Sequence, residues 1–335
     1  MRALVTGATG FLGRRIVEML RERRDDVVAF VRRRDPALEG IGARLALGDV
    51  RDPASLAVAC EEVDAVFHTA ALTGIWGPRK LFWETNVDGT RHVISACRAA
   101  GVAKLVFTSS PSVVFGEDDL CGVDERQPYP TKYLAHYPET KAAAERLVLA
   151  ANGQGLSTVA LRPHLIWGPG DPHLIPRVVA RARAGRLVQV GDGTNRVDIT
   201  YIDNAADAHV RACDALREQA RCAGKVYFIG QSEPVVLWEW LNGLLTILGV
   251  TPVARTISYS TARRVGLVLE MAYRILRLRS EPRMTRFLAA QLAKSHYFDH
   301  SAARAEIGYE ARVSTEEGLR RLVANMGTSS ASRRG

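Results

Sequence analysis

The stretch Ala3-Leu4-Val5-Thr6-Gly7-Ala8-Thr9-Gly10-Phe11-Leu12-Gly13 joins a short apolar run to a glycine-rich turn and then to a helical pattern, in which Phe11, Leu12, Ile16, Val17, Met19 and Leu20 recur at helical spacing. A strand that passes through glycines into a helix is the arrangement that cradles a pyrophosphate. The glycines permit a tight turn and close backbone approach, and the helix N-terminus offers N–H groups and the positive end of its dipole. Gly7, Thr9, Gly10, Phe11, Leu12 and Gly13 are therefore candidate dinucleotide-binding residues. Their GxxGxxG spacing differs by one residue from the GxGxxG fingerprint, and a glycine turn without a ligand is the alternative reading.

Outward from this loop, short β-branched runs at 27–31, 44–47, 64–68 and 104–108 alternate with helical patterns at 11–24, 53–61 and 84–100. Strand and helix alternating at this pace predict right-handed crossovers and a Rossmann-type α/β fold with a doubly wound parallel sheet. A sixth strand at 158–161 follows a helix at 137–151, and 225–229 reads as a seventh. Beyond 161 the pattern loosens. Pro163, Pro169, Pro172 and Pro176 punctuate the chain, and from 234 on Trp238, Trp240, Leu241, Leu244, Leu245, Ile247 and Leu248 are spaced for one buried helical face. The expected division is a dinucleotide-binding domain over 1–161, with 194–230 returning to it. A smaller, mostly helical substrate domain takes 162–193 and 231–326, and 327–335 is a frayed polar tail.

The composition of the 335 residues, 47% hydrophobic and 24% charged, excludes a disordered or collagenous chain. Five cysteines without CxxC spacing or a nearby His pair indicate neither a zinc site nor a disulfide framework, so no metal is expected. They read as reduced residues of a cytoplasmic protein, and the chain opens on a strand rather than a signal peptide. The net charge of +9 is uneven: residues 251–335 hold 15 basic and 7 acidic side chains. No nucleic-acid recognition module accompanies those charges, so nucleic acid is not an expected partner.

The end of the second strand separates the two nicotinamide cofactors. An acidic residue there holds the ribose hydroxyls of NAD, whereas Phe30-Val31-Arg32-Arg33-Arg34 offers guanidinium groups to a 2′-phosphate. NADP(H) is favoured with Arg32 as its contact, NAD(H) is the alternative, and a solvated basic loop is the plain reading. Asp49 and Val50, after the third strand, are placed to flank the adenine. Tyr137-Pro138-Glu139-Thr140-Lys141 sets a phenol and an ammonium one helical turn apart. With nine tyrosines and six lysines in the chain, about 0.16 such pairs are expected by chance. An ammonium beside a phenol favours the phenolate and makes the tyrosine a proton shuttle near neutral pH. Hydroxyls at the end of the fifth strand, Ser110 first and Ser112 in reserve, are placed to hydrogen-bond a substrate oxygen as charge develops on it.

Together with Asn86-Val87-Asp88-Gly89-Thr90 and Arg162-Pro163-His164-Leu165-Ile166-Trp167-Gly168-Pro169-Gly170-Asp171, these residues resemble an extended short-chain dehydrogenase/reductase over about 320 residues. Within that superfamily the chain is similar to the 3β-hydroxysteroid dehydrogenase-like branch. It resembles both sterol-4α-carboxylate dehydrogenases and, through Ala70-Ala71-Leu72-Thr73-Gly74-Ile75-Trp76-Gly77, bacterial 2-alkyl-3-oxoalkanoate reductases. The resemblance implies that Tyr137 is general acid in reduction and base in oxidation. It also implies that Lys141 binds the nicotinamide ribose and tunes Tyr137, and that Ser110 orients the carbonyl. His68 and Ala70 are implied to line the cofactor, although the family motif often has Asn where this chain has His68. Pro163 is implied to pass behind the nicotinamide, and His164 to stand on the substrate side or to be structural.

The expected activity is reduction of a 3-oxo group on an apolar carboxylic acid or similar lipid. A 3β-hydroxysteroid or sterol-4α-carboxylate dehydrogenase is the alternative, since oxidation of a β-hydroxy acid gives a β-keto acid prone to lose CO2. A sugar-nucleotide epimerase or dehydratase and a non-catalytic dinucleotide-binding module are further alternatives. The resemblance also implies a homodimer. The basic excess gathers around residues 265–286, where an apolar run meets Arg274, Arg277, Arg279, Arg283 and Arg286. That pattern fits a helix over an apolar pocket or peripheral contact with an anionic membrane, against the plain reading of a core helix with a solvated basic face.

Overall fold

Seven strands alternate with helices to form one parallel sheet in the computed structural model, which describes residues 1–278 and 280–331. They are β1 (Arg2–Thr6), β2 (Asp26–Val31), β3 (Arg44–Leu47), β4 (Ala65–His68), β5 (Lys104–Thr108), β6 (Ser157–Pro163) and β7 (Lys225–Ile229). Their spatial order is β7-β6-β5-β4-β1-β2-β3 with every neighbour parallel. The chain runs from β1 outward to β3 and then crosses back to β4 on the other side of β1. The carboxyl ends of β1 and β4 therefore border the crevice where ligands of open α/β sheets bind.

Alternation along the strands fills two separate cores. Ala3, Val5, Val27, Ala29, Phe67 and Val106 face the side covered by α1 (Phe11–Glu22), whereas Leu4, Val28, Phe30, Val66, Leu105 and Phe107 face the side covered by α2 (Gly89–Ala99) and α3 (His136–Ala150). A further helix, α4 (Ile202–Ala215), packs on α1 and completes the first face. Burial on both faces explains why these strands read as continuous apolar runs.

The rest of the chain builds a smaller unit at the carboxyl edge. Its mixed four-stranded sheet has the order Val235–Val236, Arg196–Val197, His296–Phe298, Leu120–Val123. The last of these strands comes from within 1–161, so the chain crosses between the two units more often than a simple division describes. Helices α5 (Tyr259–Ile275) and α6 (Arg286–Ala293) pack against each other here.

Two local differences from the sequence reading have physical causes. The helix expected over 84–100 starts as a π-helical turn, Trp83–Asp88, before becoming α2. That turn buries Asn86, whose side chain bonds outside the helix. At the other end, the helix Thr315–Ala331 runs past Gly327, where a frayed tail was expected, because no proline intervenes and each added residue gains a helical bond. Residues 332–335 of that tail, and Arg279, lie outside the described residues. No helix among the described residues is long and apolar enough to cross a membrane.

Candidate active site

The glycine loop has the geometry of a phosphate cradle. Gly7 adopts φ 69°, and a Cβ there would lie 2.8 Å from the Ala70 backbone, while a Cβ on Gly13 would overlap the Gly7 carbonyl oxygen. The Gly10 N–H closes the turn on the Gly7 carbonyl at 2.8 Å. Helix α1 is capped at its N-terminus by Gly10, which has no side chain to bond the first amides and leaves them to a bound anion. A cleft of about 360 Å³ lined by Thr9, Gly10, Phe11, Arg14 and Pro169 opens at this point. The residues present thus fit a dinucleotide pyrophosphate. Gly13→Ala must push the loop apart, and it is expected to weaken cofactor binding by about tenfold, or about 1.4 kcal/mol. Fluorescence titration with NADPH checks this; an unchanged Kd would show that the loop does not bear on the cofactor.

Behind the loop, His68 explains its own departure from the family pattern. Its ring is fully buried, 2.7 Å from the Thr6 hydroxyl through Nδ1 and 2.9 Å from the Thr90 hydroxyl through Nε2. Thr90 donates to the Asn86 carbonyl, so it accepts from His68 Nε2–H, and Thr6 donates to Nδ1. Burial, with the Lys141 charge acting the same way, pushes the His68 pKa down to about 3, so the ring is neutral. The side chain therefore clamps β1, β4 and α2 from behind. The surface beside Gly7 falls instead to Thr69, which donates to the Thr6 carbonyl at 2.7 Å, and to the Ala70 backbone.

At the end of β2, Arg34 is bonded to Glu39, and Asp35 is held by Arg14 at 2.6 Å while it caps the short helix Pro36–Gly40. Arg32 and Arg33 are exposed and make no ion pair among the described residues. Asp49 bonds Arg51 at 2.8 Å, and that guanidinium is the main cause holding its carboxyl below the usual range, with the Arg32 charge acting in the same direction. Val50 is buried against the start of α2.

The structure brings Ser110 and Tyr137 together. Ser110 caps the 3-10 turn Pro111–Val113 by accepting the Ser112 N–H at 3.2 Å, and the two serine hydroxyls lie 2.9 Å apart, so Ser112 stands behind Ser110. Burial raises the Tyr137 pKa, and a hydrogen bond with the Ser110 side chain opposes that rise. Lys141 is held by groups other than Tyr137. Its ammonium donates to the Thr108 carbonyl at 2.5 Å and lies 4.0 Å over the Phe107 ring, and burial lowers its pKa to about 7. Spacing put both side chains on one helical face, but burial, which spacing cannot report, decides their charges.

Other supports had little sequence signal. Asn86 accepts the Leu72 N–H at 2.7 Å and donates to the Thr140 hydroxyl at 3.0 Å, tying the 70–77 segment to α3 between Tyr137 and Lys141. Glu145, one turn beyond Lys141, forms a fully buried pair with Arg162, which immediately precedes Pro163 at the end of β6. An arginine inside a buried apolar strand was the available clue to that pair. His164 is buried, with its Nε2 2.6 Å from His296 Nδ1, which gives its ring a structural partner in the smaller unit.

A second cleft, about 660 Å³, runs past His136 and Glu139 on either side of Tyr137 in the chain: its lining also includes Lys132, Tyr133, Trp76, Tyr273 and Arg274. Trp76 meets Tyr273 edge-on at 6.0 Å and donates its indole N–H to the Leu278 carbonyl at 3.3 Å. The 70–77 segment thereby closes against α5.

Comparison with known proteins gives the family and the fold. The model of the 3-beta hydroxysteroid dehydrogenase/isomerase family matches residues 4–258. The chain is 49% identical over 328 residues to the 2-alkyl-3-oxoalkanoate reductase of Stenotrophomonas maltophilia, covering 97% of this chain and 99% of that protein. It is 34% identical to the mouse (Mus musculus) sterol-4-alpha-carboxylate 3-dehydrogenase, decarboxylating, covering 96% and 90% respectively. Among solved structures, a dTDP-glucose 4,6-dehydratase from Streptomyces venezuelae with NAD bound superposes with a TM-score of 0.76 at 26% identity, covering 98% of this chain and 97% of that one. With a glycine cradle at the switch point and Ser110, Tyr137 and Lys141 beside it, the chain belongs to the 3-beta hydroxysteroid dehydrogenase/isomerase family of oxidoreductases.

Proposed function

We propose that the chain is an NADP(H)-dependent 2-alkyl-3-oxoalkanoate reductase. The observation that carries the reading is the Ser110–Tyr137 hydroxyl pair at the carboxyl edge of β5, set beside the cradle and flanked by a cleft partly walled by Ile75, Trp76, Tyr273 and Leu278. The 49% identity to a reductase of that name, over nearly its full length, supports the substrate class. Gly7, Thr9, Gly10, Phe11, Leu12 and Gly13 hold the pyrophosphate. Asp49 and Val50 flank the adenine side, Ala70 borders the loop, and Pro163 ends β6 beside the nicotinamide. Bound there, the reduced nicotinamide supplies a hydride to the carbonyl carbon.

The chain's own part is to place the carbonyl oxygen and move one proton. Ser110 donates a hydrogen bond to that oxygen, and Tyr137, kept protonated by burial, transfers its hydroxyl proton to it. Lys141, fixed on the Thr108 carbonyl, holds positive charge near the phenolate that forms and near the ribose. Initial rates with a panel of 2-alkyl-3-oxo acids and 3β-hydroxysteroids, followed by NAD(P)H absorbance, test the assignment. Turnover confined to the steroids would assign the chain to the sterol arm of the family.

Preference for NADP(H) rests on Arg32 and Arg33, two exposed guanidiniums without ion-pair partners at the end of β2. A charge-assisted bond to a 2′-phosphate contributes about 1.5–3 kcal/mol, roughly 10- to 150-fold. Arg32→Asp is accordingly expected to lower kcat/KM for NADPH by that factor and leave NADH use equal or improved. Equal losses with both cofactors would remove Arg32 from phosphate recognition.

A further inference from the structure

Helix α5 is inverted relative to an ordinary surface helix. It buries Ala262, Gly266 and the carboxylate of Glu270, the last against Arg286 at 2.8 Å, and turns its large apolar residues outward. Val268, Met271 and Ile275 recur at helical spacing on the outer face and are 58%, 46% and 79% exposed; Leu267, Leu276 and Leu278 widen the stripe. Half of all large apolar side chains exposed among the described residues lie within 265–278. Such concentration marks a contact surface rather than scattered exposure.

The charges around the stripe identify its occupant. Arg264, Arg277 and Arg283 are exposed along its borders without an ion pair among the described residues, Arg274 beside them reaches Glu270 at 3.7 Å, and the nearby carboxylates are engaged: Glu270 by Arg286 and Arg274, and Glu281 by Arg177. An apolar ridge edged by unopposed guanidiniums complements a surface that is apolar within and anionic at its boundary. We infer that the outer face of α5 docks the enzyme on an anionic lipid surface. Arg274, Arg277, Leu278 and Tyr273 also line the 660 Å³ cleft, so docking sets the mouth of that cleft at the lipid boundary. A substrate with long alkyl chains then passes from lipid to cleft without crossing water. The docking itself rests on the surface and not on the reductase reading.

Flotation of the full-length protein with vesicles, in the absence of substrate, tests the inference separately from catalysis. The protein is expected to float with phosphatidylglycerol/phosphatidylcholine vesicles, to stay behind with phosphatidylcholine alone, and to lose at least about tenfold in partitioning at high salt. Val268→Ser/Met271→Ser/Ile275→Ser removes the stripe without touching the cleft lining, and Arg264→Glu/Arg283→Glu reverses the border charge. Both variants are expected to lose flotation while retaining turnover of a water-soluble short-chain 3-oxo acid and the far-UV circular dichroism of the parent. Failure of the parent to float, or flotation unaffected by both variants, overturns the inference. So does a change of mass in light scattering in the serine variant without vesicle binding by the parent, which would give the face to a second copy of the chain.

Discussion

Tyr137→Phe is expected to lower kcat by roughly 10²- to 10⁴-fold while NADPH binds with unchanged affinity. The substitution removes one oxygen from a ring whose packing is otherwise kept, so the lost rate measures proton transfer. In the free protein burial raises the phenol's pKa, so the proton stays on Tyr137 at neutral pH. That is the protonation state required of a donor in the reductive direction. Ser110 bonds the same hydroxyl, so Ser110→Ala is predicted to cost less than Tyr137→Phe and to act chiefly on kcat. Steady-state rates paired with NADPH fluorescence titration separate the steps. Full activity in Tyr137→Phe would remove the residue from the chemistry, and a parallel loss of NADPH affinity would place it in cofactor binding instead.

The parts legible in the sequence were those fixed by local periodicity. The inner strands of the parallel sheet announced themselves as short apolar runs because burial on both faces leaves no polar alternation to confuse them, while the edge strand Arg44–Leu47 kept an apolar run although it is partly exposed. The glycine loop was legible because close backbone approach at Gly7 and Gly13 leaves no room for a side chain. Spacing also placed Tyr137 and Lys141 on one helical face. What spacing could not supply was the partner of each polar group. Lys141 reaches the Thr108 carbonyl, 33 residues earlier in the chain, and His68 is held by Thr6, 62 residues earlier. Such pairings arise only when the parallel register, here Thr6 beside His68, sets distant strand ends side by side. The small sheet was hidden for the same reason: two- to four-residue strands from four distant segments have no period of their own.

The largest effect on stability is expected from the buried pair that locks this arrangement. Arg162 and Glu145 are 2% and 0% exposed; Arg162 donates to the Glu145 carboxylate at 2.6 and 3.0 Å, and Tyr129 donates to it at 2.6 Å. The guanidinium is also covered by the Phe228 ring at 5.0 Å. Removing one partner strands a charge away from water, so Arg162→Met is expected to destabilise the fold by about 3–5 kcal/mol, read as a lower urea midpoint. The double variant Arg162→Met/Glu145→Leu removes both charges and is expected to regain most of that loss, because the penalty comes from the unpaired carboxylate rather than from a missing attraction. Glu145 lies on α3 one turn from Lys141, and Arg162 precedes Pro163, so the pair also sets the spacing between α3 and the end of β6. Arg162→Met should therefore lower kcat even at temperatures where it stays folded. A double variant that is stable yet slow would assign the pair to positioning. A single variant as stable as the parent would show that water reaches Glu145, and the account of a sealed lock between α3 and β6 would fail.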